Sequence, residues 1–70
     1  MEWVATPESS NLSRFGYDAA SLILQVEFKN GGLYNYFDVP QHVFDAMKQA
    51  PSKGQYLAHQ IKGNFRYARV

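Results

Sequence analysis

The sequence predicts an α+β fold: a small antiparallel sheet of about three strands, followed by two helices packed on one of its faces. Three observations carry this expectation. Leu22, Leu24, Val26 and Phe28 alternate with Ile23, Gln25, Glu27 and Lys29, the two-residue period of a half-buried strand. Asn30-Gly31-Gly32 tolerates positive φ and is followed by strand-like Leu33-Tyr34-Asn35-Tyr36-Phe37, which makes a hairpin. Past Val39-Pro40 the apolar spacing changes to three and four, through Val43, Phe44, Met47 and Ala50, the pattern of an amphipathic helix.

In chain order, residues 1–8 read as a loose N-terminal lead, because Pro7 is ill suited to a central strand. Residues 9–70 form the domain. A short strand is expected from Asn11 to Tyr17, then a turn over Gly16–Ser21. The hairpin loop decides the facing of the next strand, since a slip of one residue flips every side chain. A three-residue loop, Asn30 to Gly32, puts Tyr34 and Tyr36 on the face of Leu24, Val26 and Phe28; a two-residue loop puts Leu33, Asn35 and Phe37 there. The three-residue loop is favoured, because it seats a bulge at a glycine and sends Asn35 outward beside Gln25 and Glu27. Pro40 suits the first helical position, with Asp38 favourably placed at the helix start. Pro51 ends this first helix. Ser52-Lys53-Gly54-Gln55 fits a capping box that opens a second, which runs to about Lys62, buries Tyr56, Leu57 and Ile61, and closes at Gly63. The tail Phe65–Val70 alternates aromatic and basic residues and is read as extended, adding a strand or lying over the helices.

Seventy residues hold one domain near the lower limit of independent folding, where a core supplies ~3–5 kcal/mol. The chain has no cysteine, so disulfides and cysteine-based zinc sites are excluded, and five Phe, five Tyr and one Trp must supply much of the buried area. No apolar run approaches the ~20 residues of a membrane span, and the start has no signal-peptide character. A cytoplasmic location is expected. Charge is unevenly spread. All six acids (Glu2, Glu8, Asp18, Glu27, Asp38, Asp45) lie in the first 45 residues, against Arg14 and Lys29. Residues 46–70 hold Lys48, Lys53, Lys62, Arg66 and Arg69 and no acid. This asymmetry points to an anionic partner, unless the two halves neutralise each other once folded.

No constellation supports catalysis. His42, Asp45 and Asp38 lie near one another along the first helix, but a histidine with acids on a polar helix face is a surface charge pair, and His59 lies on a different helix. There is no triad, no phosphate-binding glycine loop and no metal cluster, so no enzyme activity, cofactor, metal or small-molecule substrate is expected. Ser52 reads as a cap, and Gly54 as either a close approach to a ligand or tight packing between the helices. Two candidate binding features remain. Tyr34 and Tyr36, at i and i+2, make a stacking platform if they face outward and core if they face the helices; the favoured loop turns them inward. Lys53, Lys62, Arg66 and Arg69, with Phe65 and Tyr67, combine cations for phosphates with flat faces for bases.

Ser9-Ser10, Gly16-Tyr17-Asp18, Leu24-x-Val26-x-Phe28, Asn30-Gly31, Tyr34-x-Tyr36, Val39-Pro40, Ala50-x-Ser52-x-Gly54-x-Tyr56 and Ile61-Lys62 occur in that order. This succession over residues 9–70 resembles the KTSC domain, a short module found at the C-terminus of some lysyl-tRNA synthetases and as small proteins on its own, with a central Tyr-x-Tyr. The resemblance implies an RNA partner through the synthetase association. The expected function is therefore a non-enzymatic binding module for RNA of tRNA-like kind, through Lys53, Lys62, Arg66, Arg69, Tyr34, Tyr36, Phe65 and Tyr67. The alternative is a protein-interaction or self-association module using an exposed apolar sheet face with Leu33, Phe37 and Trp3.

Overall fold

The strand periodicity is realised in a computed structural model that describes all 70 residues, Met1–Val70. Five strands form one antiparallel sheet in sequence order: β1 (Glu2–Ala5), β2 (Leu12–Asp18), β3 (Ile23–Phe28), β4 (Leu33–Tyr36) and β5 (Tyr67–Arg69). Two helices, α1 (Gln41–Gln49) and α2 (Lys53–Tyr56), lie in the connection from β4 to β5. The α+β class and the two helices on one face are as expected, but the sheet has five strands, not about three. The additional ones are the edges. Trp3 and Val4 of the expected lead pair with Gly16 and Phe15, and Pro7 is accommodated because it falls beyond the end of β1. The tail returns as β5, with Tyr67 opposite Tyr36 and Arg69 opposite Tyr34.

The β3–β4 hairpin confirms the facing of the tyrosines and shifts the loop by one residue. Val26 lies opposite Tyr34 and Leu24 opposite Tyr36. Phe28 N–H donates to Gly32 O (2.8 Å) and Gly31 N–H to Phe28 O (2.9 Å), so the three loop residues are Lys29–Gly31. Gly31 takes φ +94°, the positive-φ position of a glycine bulge.

A second bulge shapes β2. The register shifts between Leu12 and Arg14, so that Leu12, Phe15 and Tyr17 all reach the core although their spacing is not strictly two. Thr6, fully buried, binds the disturbed backbone, its hydroxyl donating to Leu12 O (2.9 Å) and its N–H to Ser13 O (3.1 Å). On the opposite face Gly16 is required by crowding: a Cβ there would stand 2.7 Å from the Trp3 ring.

The core joins Phe15, Tyr17, Leu24, Val26 and Tyr36 of the sheet to Val39, Phe44, Met47, Leu57 and Ile61 of the helical layer. Phe44 stacks on Tyr17 at 4.9 Å and meets Phe15 edge-on at 5.7 Å. Pro40 stands one residue before the first helical position, and Asp38 makes no cap bond; it takes φ +59° instead. Ser52 Oγ accepts from Gln55 N–H (3.3 Å), the serine half of the expected capping box. Beyond α2 the helix widens over Leu57–Ile61, where Lys62 N–H reaches back to Leu57 O (2.8 Å), and Gly63 turns the chain at φ +85°. Gly54 is small for the loop rather than for the first helix: a Cβ would lie 2.9 Å from Asn11 Oδ1.

Candidate nucleic-acid interface

Strand alternation puts Tyr34 and Tyr36 of β4 and Tyr67 and Arg69 of β5 on the helix-facing side of the sheet. The helical layer covers only part of that side. Where Leu57–Ile61 ends and the chain turns at Gly63, a cavity of about 670 Å3 stays open over the β3–β5 end of the sheet. Its aromatic wall is Phe28, Tyr34, Tyr36 and Tyr67. Its polar rim is Asn11, Asn30 and Lys62.

The rings form a connected set. Phe28 meets Tyr34 edge-on at 5.6 Å, and Tyr67 leans on Tyr34 at 6.0 Å and on Tyr36 at 5.6 Å. Tyr67 is 58% exposed, Tyr34 half-buried and Tyr36 buried. The Tyr36 hydroxyl makes no hydrogen bond within the protein, yet no buried side-chain polar atom lacks a partner; its oxygen is therefore open to the cavity that Tyr36 lines. Burial of the ring, then the neighbouring Tyr67 and Tyr34, raise the Tyr36 pKa, which keeps the hydroxyl a neutral donor and acceptor. Two cations attend the aromatic wall: Lys62 Nζ lies 5.3 Å from the Phe28 centroid and the Arg69 guanidinium 5.8 Å from that of Tyr34. No acidic residue lines the cavity.

The residues singled out in the sequence separate into two groups. Tyr34, Tyr36, Tyr67 and Lys62 come together in the cavity, with Arg69 over the Tyr34 ring. The other three go elsewhere. Arg66 falls on the opposite sheet face, over Phe37 (5.0 Å) and 3.9 Å from Asp38. Lys53 turns back to Ala50 O (3.0 Å), and Phe65 packs against the core. Of the late cations, Lys48 is also neutralised, by Glu2 (3.1 Å) and Asp45 (3.5 Å). Phe28, Asn11, Asn30 and Gly63 were missed as site residues. Phe28 was legible as the next member of the Leu24–Val26 face; Asn11 arrives only through tertiary packing.

The helix-free face is different in kind. Trp3, 38% exposed, lies across Gly16 with the Arg14 guanidinium 4.1 Å from its ring. Ile23, Leu33 and Phe37 share this face and are half-buried. No helix is long and apolar enough to cross a membrane.

Comparison with known proteins agrees with this fold. The chain is 41% identical over 64 residues to a lysine–tRNA ligase of Trichormus variabilis, an alignment that takes in 91% of this chain and 11% of the ligase. It thus spans only a small part of the ligases it matches. It is also 41% identical to an uncharacterised protein of Stutzerimonas stutzeri, covering 90% of each chain. The crystal structure of a KTSC domain protein from Yersinia pestis superposes with a TM-score of 0.91 at 29% identity, over 99% of this chain and 96% of that one. The family model for the KTSC domain matches residues 8–65, and the chain belongs to the KTSC domain family.

Proposed function

We propose that this protein is a non-catalytic RNA-binding module of the cytoplasm, holding an unpaired stretch of a tRNA-like RNA in the cavity over β3–β5. The observation that carries the proposal is the cavity itself: three tyrosines, a phenylalanine and two attendant cations around an opening with no acid. Tyr67 offers an exposed ring for a base, and Lys62 and Arg69 offer charge to the flanking phosphates. The occurrence of similar sequence in lysine–tRNA ligases, whose name specifies a tRNA substrate, agrees with an RNA partner. The interface is smaller than the sequence alone implies, because Lys48 and Arg66 have acidic neighbours and Lys53 faces its own backbone.

Titration of labelled protein with pooled tRNA at low and moderate salt tests this. Chemical-shift changes are expected at Tyr34, Lys62, Tyr67 and Arg69, weakening as salt rises. Each phosphate contact to a single strand contributes about 0.7 to the slope of log K against log salt, so Lys62→Ala lowers that slope by about 0.7. A complete absence of shifts at low salt removes the RNA proposal.

One observation favours a second reading, a protein-interaction module. Trp3, Ile23, Leu33 and Phe37 share the face that no helix covers, between the edge strands β1 and β5. Shifts confined to that face on concentrating the protein alone would favour self-association.

A further inference from the structure

The two edges of the sheet are guarded differently. β5 is short and carries Arg66 and Arg69 at its ends, so the same strand of a second copy laid against it meets like charge. β1 has no lysine, proline or bulge within Glu2–Ala5. Its single charge, Glu2, is held by Lys48 of α1 at 3.1 Å. Trp3 and Ala5 are exposed on the outer face of this edge, and Val4 is half-buried on the other.

The hydrogen-bond phase of β1 decides which backbone groups are free. Thr6 N–H donates to Ser13 O at 3.1 Å, and Val4 opposite Phe15 and Glu2 opposite Tyr17 continue that register. Bonding alternates along an antiparallel pair, so Glu2 and Val4 bond to β2. Trp3 and Ala5 therefore point their N–H and C=O groups away from the sheet.

We infer that β1 pairs antiparallel with β1 of a second copy, about a two-fold axis at Val4. This deepens the protein-interaction reading and rests on it, with the edge rather than the face as the contact. In that register Trp3 of each copy lies opposite Ala5 of the other, and every outward N–H and C=O of both residues is paired. The side chains agree with it. On the outer face an indole meets a methyl group, large against small, and on the helix side Val4 meets Val4 across the axis. Glu2 falls opposite Thr6, so the two acids do not face each other. The pattern required of the partner, a small residue two places after a large one, is β1's own.

Sedimentation equilibrium from about 0.01 to about 1 mM protein, the range of weak association, should show monomer giving way to dimer. The emission of Trp3, the chain's one tryptophan, should shift to the blue over that range. Amide exchange should slow several-fold at Trp3 and Ala5 and stay unchanged at Glu2 and Val4, which are bonded in the monomer. Ala5→Pro removes an outward N–H, which an edge strand tolerates, and should abolish the dimer at an unchanged unfolding temperature. Leu33→Ser, on the outer face of β4, should leave the dimer intact. The exchange measurement needs no variant, so it decides even where Ala5→Pro lowers stability. A chain still monomeric at about 1 mM overturns the inference. A dimer without slowed exchange at Trp3 and Ala5, or one that Leu33→Ser abolishes and folded Ala5→Pro retains, overturns the edge pairing and leaves association through the face standing. Growth beyond a dimer overturns the two-fold arrangement.

Discussion

Tyr17 and Tyr36 sit on the same face of the same sheet and are both 3% exposed, yet they belong to different kinds of structure. Around Tyr17 the packing is closed. Its ring stacks on Phe44 at 4.9 Å and its hydroxyl donates to Val39 O at 2.5 Å. Around Tyr36 the packing stops short. Its ring leans on Tyr67, and its hydroxyl opens onto a cavity with cations nearby and no acid. The difference follows from helix length and placement: α1 brings Phe44 and Met47 over β2, whereas Leu57–Ile61 reaches Gly63 before the β4–β5 end is covered. One tyrosine closes the core; the other lines a cavity that the helical layer leaves open.

The sharpest way to break this contrast is to remove one ring from each region. Phe44 is fully buried between Phe15 and Tyr17, and Phe44→Ala should cost ~3–5 kcal/mol, as large aromatic truncations in cores do. That equals the ~3–5 kcal/mol a core of this size supplies, so the variant should be largely unfolded at 25 °C by circular dichroism. Tyr67→Ala, at a ring 58% exposed, should change unfolding by less than about 1 kcal/mol and weaken RNA binding by ~1–3 kcal/mol, the value of one stacked base. If Tyr67→Ala unfolds the domain, the open end is structural and the contrast fails.

A finer comparison removes only the hydroxyls. Tyr17→Phe loses a buried hydrogen bond to Val39 O and should cost about 1 kcal/mol in urea unfolding. Tyr36→Phe loses a hydroxyl with no protein partner and should cost less than about 0.5 kcal/mol. Equal costs for the two would mean that the Tyr36 hydroxyl is satisfied within the fold, and the cavity would lose a polar group.

How much of this was legible in the sequence depends on how local the cause is. The β3–β4 hairpin and the facing of Tyr34 and Tyr36 follow from alternation and from Asn30-Gly31, both short-range. The edge strands were harder, for a physical reason. β1 is Glu-Trp-Val-Ala, mostly exposed, with no clean alternation, and it is held by pairing to β2 rather than by its own pattern. The bulge at Ser13 also breaks the period that would have identified β2 in full. Of the candidate site, the tyrosines and Lys62 were legible as residue types. Excluding Arg66 needed the parity of β5, which places it on the face away from Tyr67 and Arg69. Gly54 needed the fold itself, since its neighbour is Asn11, far away in sequence.

The smallest effect is expected from alkaline pH, and its sign is determined. Burial raises the pKa of Tyr17, with lesser contributions from Asp45 and Asp18, and burial raises that of Tyr36. Both start from an ordinary value of 10.0. As pH passes 10.0 the unfolded chain loses these protons while the folded chain keeps them, so the native state binds more protons and stability falls with rising pH. Below that pH the contribution is constant. Lys48, whose pKa is raised first by its hydrogen bond to Glu2, acts in the same direction from an ordinary value of 10.5. The urea midpoint should therefore be flat approaching pH 10.0 and decline beyond it. Replacing Tyr17 and Tyr36 together by Phe should make the decline shallower without abolishing it, because the Lys48 contribution persists. A midpoint that rises through this range would mean that the two hydroxyls ionise more readily in the fold than outside it, and the closed packing around Tyr17 would have to be given up.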